Sequence, residues 1–319
     1  SAYGLLLVNT GATTVDMGDD FSVSSSGNNG YAYGTLLQAV SNTDVHYAGD
    51  FTITADSGYA YGLQANGVSG TLDLAVDGIF SVSGDGASYG LMLYGLQGVS
   101  TVDIAGSFST VSNAGFAYGM DISLAGTGSL DLTMEDGFVV TGGNGATGGN
   151  VYGGGARTFS FQDVTVSADM GNVYGLSFYN GSGLTDLTID GDLRVSSDTS
   201  SARGLAFYST WGVDAEITGD AIVSGVDNMV IGAEMFSITD VAALTIGGAF
   251  TITSDTFNSM LGINVGSVGH LDISVAGPMT VTNLGAGFVV GISASGVADG
   301  VTINLDDAMT SSSLATAWG

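Results

Sequence analysis

The residues best suited to chemistry in this sequence are its carboxylates. It holds 31 acidic side chains against three Lys+Arg and two His, a net charge of −28. Nearly all the acids are aspartate; Glu135, Glu216 and Glu234 are the glutamates. Aspartate favours turns and side-chain-to-backbone hydrogen bonds. Two sets recur at a steady phase. One includes Asp16, Asp73, Asp103, Asp131 and Asp272, the other Asp50, Asp77, Asp136, Asp192 and Asp220. Carboxylates stacked ~5 Å apart repel by roughly 1 kcal/mol per pair in water. A divalent cation would offset that, and an all-oxygen ligand set suits calcium. Asp50, Asp77, Asp136, Asp192 and Asp220 are therefore a candidate calcium ladder. The competing reading is turn aspartates that bond backbone, with their repulsion screened by salt. The run Gly142-Gly143-Asn144-Gly145 opens like a calcium-binding nonapeptide, but Thr147 stands where its aspartate belongs. Gly143, Gly145 and Gly148 also match a dinucleotide loop, and no amphipathic helix follows to complete it.

Aromatic and cationic residues offer a second chemistry. Tyr94, Tyr179 and Tyr208 occupy one recurring position, with Trp211 nearby, and the three arginines are Arg157, Arg194 and Arg203. Tyr179, Arg203, Tyr208 and Trp211 form a candidate glycan patch; the alternative is aromatic stacking that stiffens the chain. A Ser/Thr-x-Ser/Thr pattern recurs as Ser22/Ser24, Thr52/Thr54, Ser81/Ser83, Thr165/Ser167, Thr251/Thr253 and Thr280/Thr282. Such an outward hydroxyl array suits ordered water or a crystal surface, or simply an exposed strand face. It is broken by Val139, Arg194 and Ile222.

Catalysis finds little support. His46 and His270 lie far apart along the chain, there is no cysteine and no G-x-S-x-G, and spacing selects no acid/base carboxylate pair. The expectation is a protein without enzymatic activity and without a cofactor, calcium excepted. A nucleic-acid partner is excluded, because almost nothing here would displace counterions from phosphate. Anionic membrane surfaces are excluded on the same ground. No apolar run approaches the ~18 residues of a membrane helix.

What positions these side chains is a repeat. An aromatic-Gly tag followed by an apolar residue reads Tyr3-Gly4-Leu5, Tyr61-Gly62-Leu63, Tyr89-Gly90-Leu91, Tyr118-Gly119-Met120 and Tyr174-Gly175-Leu176. The aromatic later gives way to Ile231, Leu261 and Val290. From Gly4 to Gly291 the step averages ~28–29 residues. Two further segments follow each tag, as in Thr101-Val102-Asp103-Ile104 and Phe80-Ser81-Val82-Ser83. All alternate with period two and are rich in β-branched residues, the half-buried strand signature. Three short strands and three turns per repeat make one coil of a β-solenoid, which buries its inward face only by stacking on its neighbours. The prediction is an all-β, parallel β-solenoid (β-helix) of about 11 coils, a single continuous body over residues 1–319. One irregularity is expected. Taking Tyr152-Gly153 as a tag leaves a long step then a short one, which predicts an outward glycine-rich loop near 142–150 and a shortened coil at 151–172.

The Ala-Tyr-Gly-Leu tags, the Val-Asp-Ile and Phe-Ser-Val-Ser strands and the Gly/Asn/Asp turns resemble the repetitive β-solenoid regions of bacterial surface adhesins. Autotransporter passengers and filamentous-haemagglutinin-like proteins are of this kind. That resemblance implies an extracellular or cell-surface location. The closing Ala317-Trp318-Gly319 matches the start of a coil, so first and last residues share one phase. The expectation is a structural protein, one subunit or segment of a surface filament or stalk stacked end to end with itself. The alternatives are an adhesin that binds glycans or other cells through a lateral face, and an ice- or crystal-binding surface on the hydroxyl ladder.

Overall fold

The computed structural model describes residues 1–8, 11–27, 30–227, 229–256, 259–285, 287–313 and 316–318. Among these the regular elements are all β-strands. They build a parallel β-solenoid of about 10 turns. A representative coil has a first strand at Tyr59–Asn66, a second at Leu72–Val76 and a third at Phe80–Gly84. Each pairs in parallel with its own equivalent one coil away. The third strands form one 11-stranded sheet. First and second strands share a larger sheet, because Val230–Ile246 and Met260–Val275 run on around the corner between them. The molecule thus has three sides, called faces 1, 2 and 3 after the first, second and third strands.

Side-chain alternation explains the core. In Phe80–Gly84 the odd positions Phe80 and Val82 are fully buried, while Ser81 and Ser83 face outward. Stacking puts like on like. Phe51, Phe80, Phe108 and Phe138 form a column with ring centroids 4.7, 4.9 and 4.9 Å apart. Burial of each such side chain stabilises the fold by about 2–3 kcal/mol. In the next coils that column narrows to Val164, Leu193 and Ala221. The lost volume is restored across the core by Phe159, Phe161, Phe178 and Phe207, all fully buried. Close packing requires this exchange, since an unfilled site of that size would cost several kcal/mol.

The tag glycines answer to the same column. Gly34, Gly62, Gly90 and Gly119 lie directly over it, and a Cβ on Gly62 would stand 2.8 Å from Phe80 Cζ and 2.6 Å from the Gly90 carbonyl. Their role is close approach, not turn conformation. At the tag the alternation slips: Gly62 and Leu63 both point inward, which leaves Tyr61 on the outside.

The glycine-rich stretch corrects the expectation drawn from spacing. Residues 142–150 are not an outward loop, and no coil is shortened at 151–172. Gly145–Gly153 is a face 1 strand, buried over most of its length. It pairs in register with Phe116–Leu124 on one side and Val173–Tyr179 on the other. The tag of this coil is Thr147-Gly148, which aligns with Tyr118-Gly119 and Tyr174-Gly175. Tyr152-Gly153 is the end of the strand and the corner after it, as Tyr94-Gly95 is in an earlier coil, with φ of 70° at both glycines. The extra glycines admit large neighbours. A Cβ on Gly145 would lie 2.5 Å from the Phe116 ring, and one on Gly149 would lie 2.7 Å from Met120 Cε.

Candidate functional site

The three faces carry different chemistry. Among the described residues no third strand contains an acidic residue, and the face 1 segments contain Asp121 and Glu234. The carboxylates gather on face 2 and at the corner between faces 2 and 3, and a further six, Asp56, Asp85, Asp169, Asp198, Asp227 and Asp255, stand at the corner between faces 3 and 1. On face 2 they sit opposite one another as Asp44–Asp73 and Asp186–Asp214. Desolvation, then the Asp214 charge, raises the Asp186 carboxyl above its ordinary value. Thr101 Oγ1 donates to Asp73 Oδ1 at 2.5 Å.

The five aspartates of the candidate calcium ladder do not form one row. Asp50, Asp192 and Asp220 share a position immediately before the third strand, together with Asp20 and Asp163. Asp136 stands one residue earlier in that corner, and Asp77 two residues earlier. The shared position has a backbone task. Asp20 Oδ1 accepts the N–H of Asp50 at 3.0 Å, and Asp50 Oδ1 accepts that of Ile79 at 2.9 Å. Asp163, Asp192 and Asp220 accept the N–H groups of Asp192, Asp220 and Ala249 at 2.7, 2.8 and 2.8 Å. Each carboxylate therefore ties its corner to the corner of the next coil. The N–H of Asp220, and then Arg194, hold the Asp192 carboxyl below its ordinary range. Arg194 Nη2 lies 2.6 Å from Asp192 Oδ2. Asp77 faces His46, whose Nε2 is 3.1 Å from Asp77 Oδ2 and whose Nδ1 is 3.3 Å from Asp16 Oδ1. The hydrogen bond to Asp77 is the largest cause of a raised His46 pKa. Among the described residues no three His, Asp or Glu side chains converge as a metal site.

Face 1 carries two long columns of outward-facing aromatic residues. Tyr3, Tyr33, Tyr61, Tyr89 and Tyr118 stack with centroids 4.7–5.0 Å apart. Burial, then the neighbouring tyrosines, pushes the Tyr61 hydroxyl up to about 12. The stack stops at Thr147. Past it Tyr174 returns to the tag, but the stacked column lies at the far end of the strand as Tyr152, Tyr179, Tyr208 and Phe236, spaced 4.9, 5.4 and 6.0 Å.

Three residues of the candidate glycan patch meet here. Tyr179 stacks on Tyr208, and Arg203 Nη1 donates to the Tyr208 hydroxyl at 3.1 Å. That hydroxyl donates to Glu234 Oε2, which also lies 3.3 Å from Arg203 Nε. The guanidinium covers the Tyr174 ring at 5.7 Å. Trp211 is not part of this group. It lies around the corner from Tyr208, 51% exposed. Both ring faces of Tyr179 and of Tyr208 are covered by their neighbours, so these rings offer edges to a ligand. Trp211 presents an open ring.

Arg157 escaped the reading from spacing. It is fully buried beside the corner between faces 1 and 2. Its Nη2 donates to Thr185 Oγ1 at 2.6 Å, and its Nη1 to the carbonyls of Gly153 and Tyr179 at 3.2 and 3.3 Å. Burial lowers its pKa to about 10. The alternation Arg157-x-Phe159-x-Phe161 was the available signal, since it places all three side chains inward. On face 3 the hydroxyls resolve into two rows. Val139, Arg194 and Ile222 all interrupt one row; the other runs Ser24, Thr54, Ser83, Val111, Thr141, Ser167, Ser196, Ser224, Thr253, Thr282, Ser312.

Comparison with protein-family models, with curated proteins and with solved structures gave no match. Among the described residues no helix is long and apolar enough to cross a membrane.

Proposed function

We propose that the chain is a structural segment of an extracellular surface stalk or filament, of the kind found on bacterial cells. The observation that supports this reading is coil-on-coil pairing in register from the first coil to the last described one. Pairing of that kind extends a body along a single axis by ~4.8 Å per coil, and the chain contributes about 50 Å of rod. The outermost coil of any solenoid presents unpaired N–H and C=O groups. A further coil, from the same chain or a second subunit, adds there without any new element. Electron microscopy of the purified protein at rising concentration tests this. Fibres with one continuous solenoid axis, many times longer than the ~50 Å of a single chain, are expected, whereas isolated rods of that length weaken the reading and favour a lateral binding face. Compact particles with no long axis would sink the reading.

A second reading, a lateral glycan-binding face, is favoured by Trp211, whose exposed ring suits stacking on a sugar. Glycan-array binding lost in Trp211→Ala, with the melting temperature unchanged, is its expected signature.

A further inference from the structure

We infer that face 1 of the first five coils is a lateral interface between two copies of this chain. The inference stands independently of the stalk reading, since it concerns a side of the rod and not its ends. In a chain of net charge −28, the first five face 1 strands carry one charged side chain, Asp121. Its carboxylate already accepts the Tyr94 hydroxyl at 2.5 Å. The same surface concentrates aromatic rings. Beside the stacked tags stand Tyr31, Tyr59 and Phe116, which are 37%, 39% and 47% exposed. Tyr31 stacks on Tyr59 at 5.2 Å, which widens the strip to two rows. Exposed apolar surface of this extent, rimmed by polar residues, marks an interaction site.

Charge placement selects a second copy as the occupant. In the first five coils the corner between faces 2 and 3, which does not touch face 1, carries Asp19, Asp20, Asp50, Asp77, Glu135 and Asp136, against Asp56 and Asp85 at the corner between faces 3 and 1. Pairing two rods through face 1 holds those acidic edges as far apart as the cross-section allows. Pairing through face 2 would bring like charges together and weaken association by orders of magnitude. The area is sufficient. Five coils at ~4.8 Å by a strand of ~8 residues give about 600 Å² per copy, or roughly 1,200 Å² in total. A specific interface needs about 1,000 Å². A two-fold axis near the Tyr61 row would make the contact isologous and closed.

Sedimentation equilibrium of the full chain from low to high micromolar concentration tests the inference. The expected result is a shift from the chain mass to twice the chain mass, tighter at higher salt because the residual repulsion is screened. Tyr59→Asp combined with Tyr61→Asp should weaken dimerisation by at least about 100-fold. Thr52→Asp combined with Thr54→Asp, which adds the same charge to face 3, should leave it intact. If the aspartates unfold the coil, Tyr59→Ser with Tyr61→Ser supplies the same reading, with the melting temperature as its control. A wild-type chain that stays at the monomer mass overturns the inference. So does a mass that climbs without a dimer plateau, or association that the face 1 and face 3 variants weaken equally.

Discussion

Two corners of the coil use glycine for opposite reasons. Between faces 2 and 3, Gly49, Gly78, Gly191, Gly219 and Gly248 each lie where a Cβ would stand 2.1–2.5 Å from the carboxylate of the preceding coil's aspartate. Positive φ is not what they supply; they make room. Between faces 1 and 2 a left-handed residue recurs after the first strand, at Ala39, Gly67, Gly95, Gly153, Asn180, Ser209, Ser237, Ser267 and Gly296; the coil of Phe116–Leu124 places it at Gly126 instead, and Gly154 is left-handed beside Gly153. Around Gly67 the nearest atom to an added Cβ is 4.0 Å away, so space is plentiful and only φ matters. One corner is thus specified by a pair of residues a coil apart, the other by a single residue's conformation. A steric demand admits no substitute, whereas a left-handed φ costs an L-residue only about 1–2 kcal/mol. That is why the first corner has no exception where the aspartate is present, while the second tolerates alanine, serine and asparagine.

The sharpest way to break this comparison is Gly219→Val. Its Cβ would meet Asp192 Oδ1 at 2.4 Å and the Gly191 carbonyl at 2.7 Å. A loss of about 3 kcal/mol or more is expected in denaturant unfolding. Gly137→Ala, at the same corner but with nothing within 4 Å, should stay within about 0.5 kcal/mol of wild type. Equal effects would remove the steric argument.

Arg157→Leu probes the other corner where a side chain braces it. The change withdraws the donors that satisfy the Gly153 and Tyr179 carbonyls, and a loss of about 2–3 kcal/mol is expected. A stability equal to wild type would show the guanidinium to be dispensable there.

Asp192 separates geometry from charge. Asp192→Ala should cost about 1 kcal/mol, a figure reduced because the carboxylate is partly solvated. Asp192→Asn should cost less than Asp192→Ala at pH 7, as it loses the charge but keeps an acceptor, just as Asn42 Oδ1 accepts the Thr71 N–H at 3.1 Å in the corresponding manner at another corner. The acid response should differ. Because the folded-state pKa of Asp192 is lowered, its contribution is complete above the ordinary carboxylate range. It is lost as pH falls through the lowered value. Unfolding midpoints against pH should therefore fall less steeply for Asp192→Asn than for wild type.

The smallest effects belong to the left-handed column. Ala39→Gly should stabilise by about 0.5 kcal/mol, and Gly67→Ala should cost about 1 kcal/mol. Reversed signs, read from thermal melts, would mean that neighbours and not φ govern this corner.

Much of this organisation was legible in the residues. Period-two alternation in segments such as Phe80-Ser81-Val82-Ser83 is a local signal, and it predicts strand, inward face and repeat together. The tag of the sixth coil was not legible, because Tyr-Gly occurs both at the tag and at the corner, and only packing against the phenylalanine column tells them apart. The aspartate rows were misread for a related reason. Their partners lie 28–30 residues away in the next coil, and a shift of one or two residues within a corner decides whether a carboxylate reaches them.

The sequence by itself determined that this chain is a parallel β-solenoid, since the alternation and the repeat admit few other ways to bury so many β-branched side chains. It also determined that the faces would be rich in hydroxyl, aromatic and acidic groups. The tertiary structure decided which carboxylates tie one coil to the next, that Arg157 is buried, and that Trp211 stands apart from Tyr179, Arg203 and Tyr208. Those outcomes depend on register between coils, and register is set by the packing of the whole column, where the exclusion of a single Cβ outweighs any local preference.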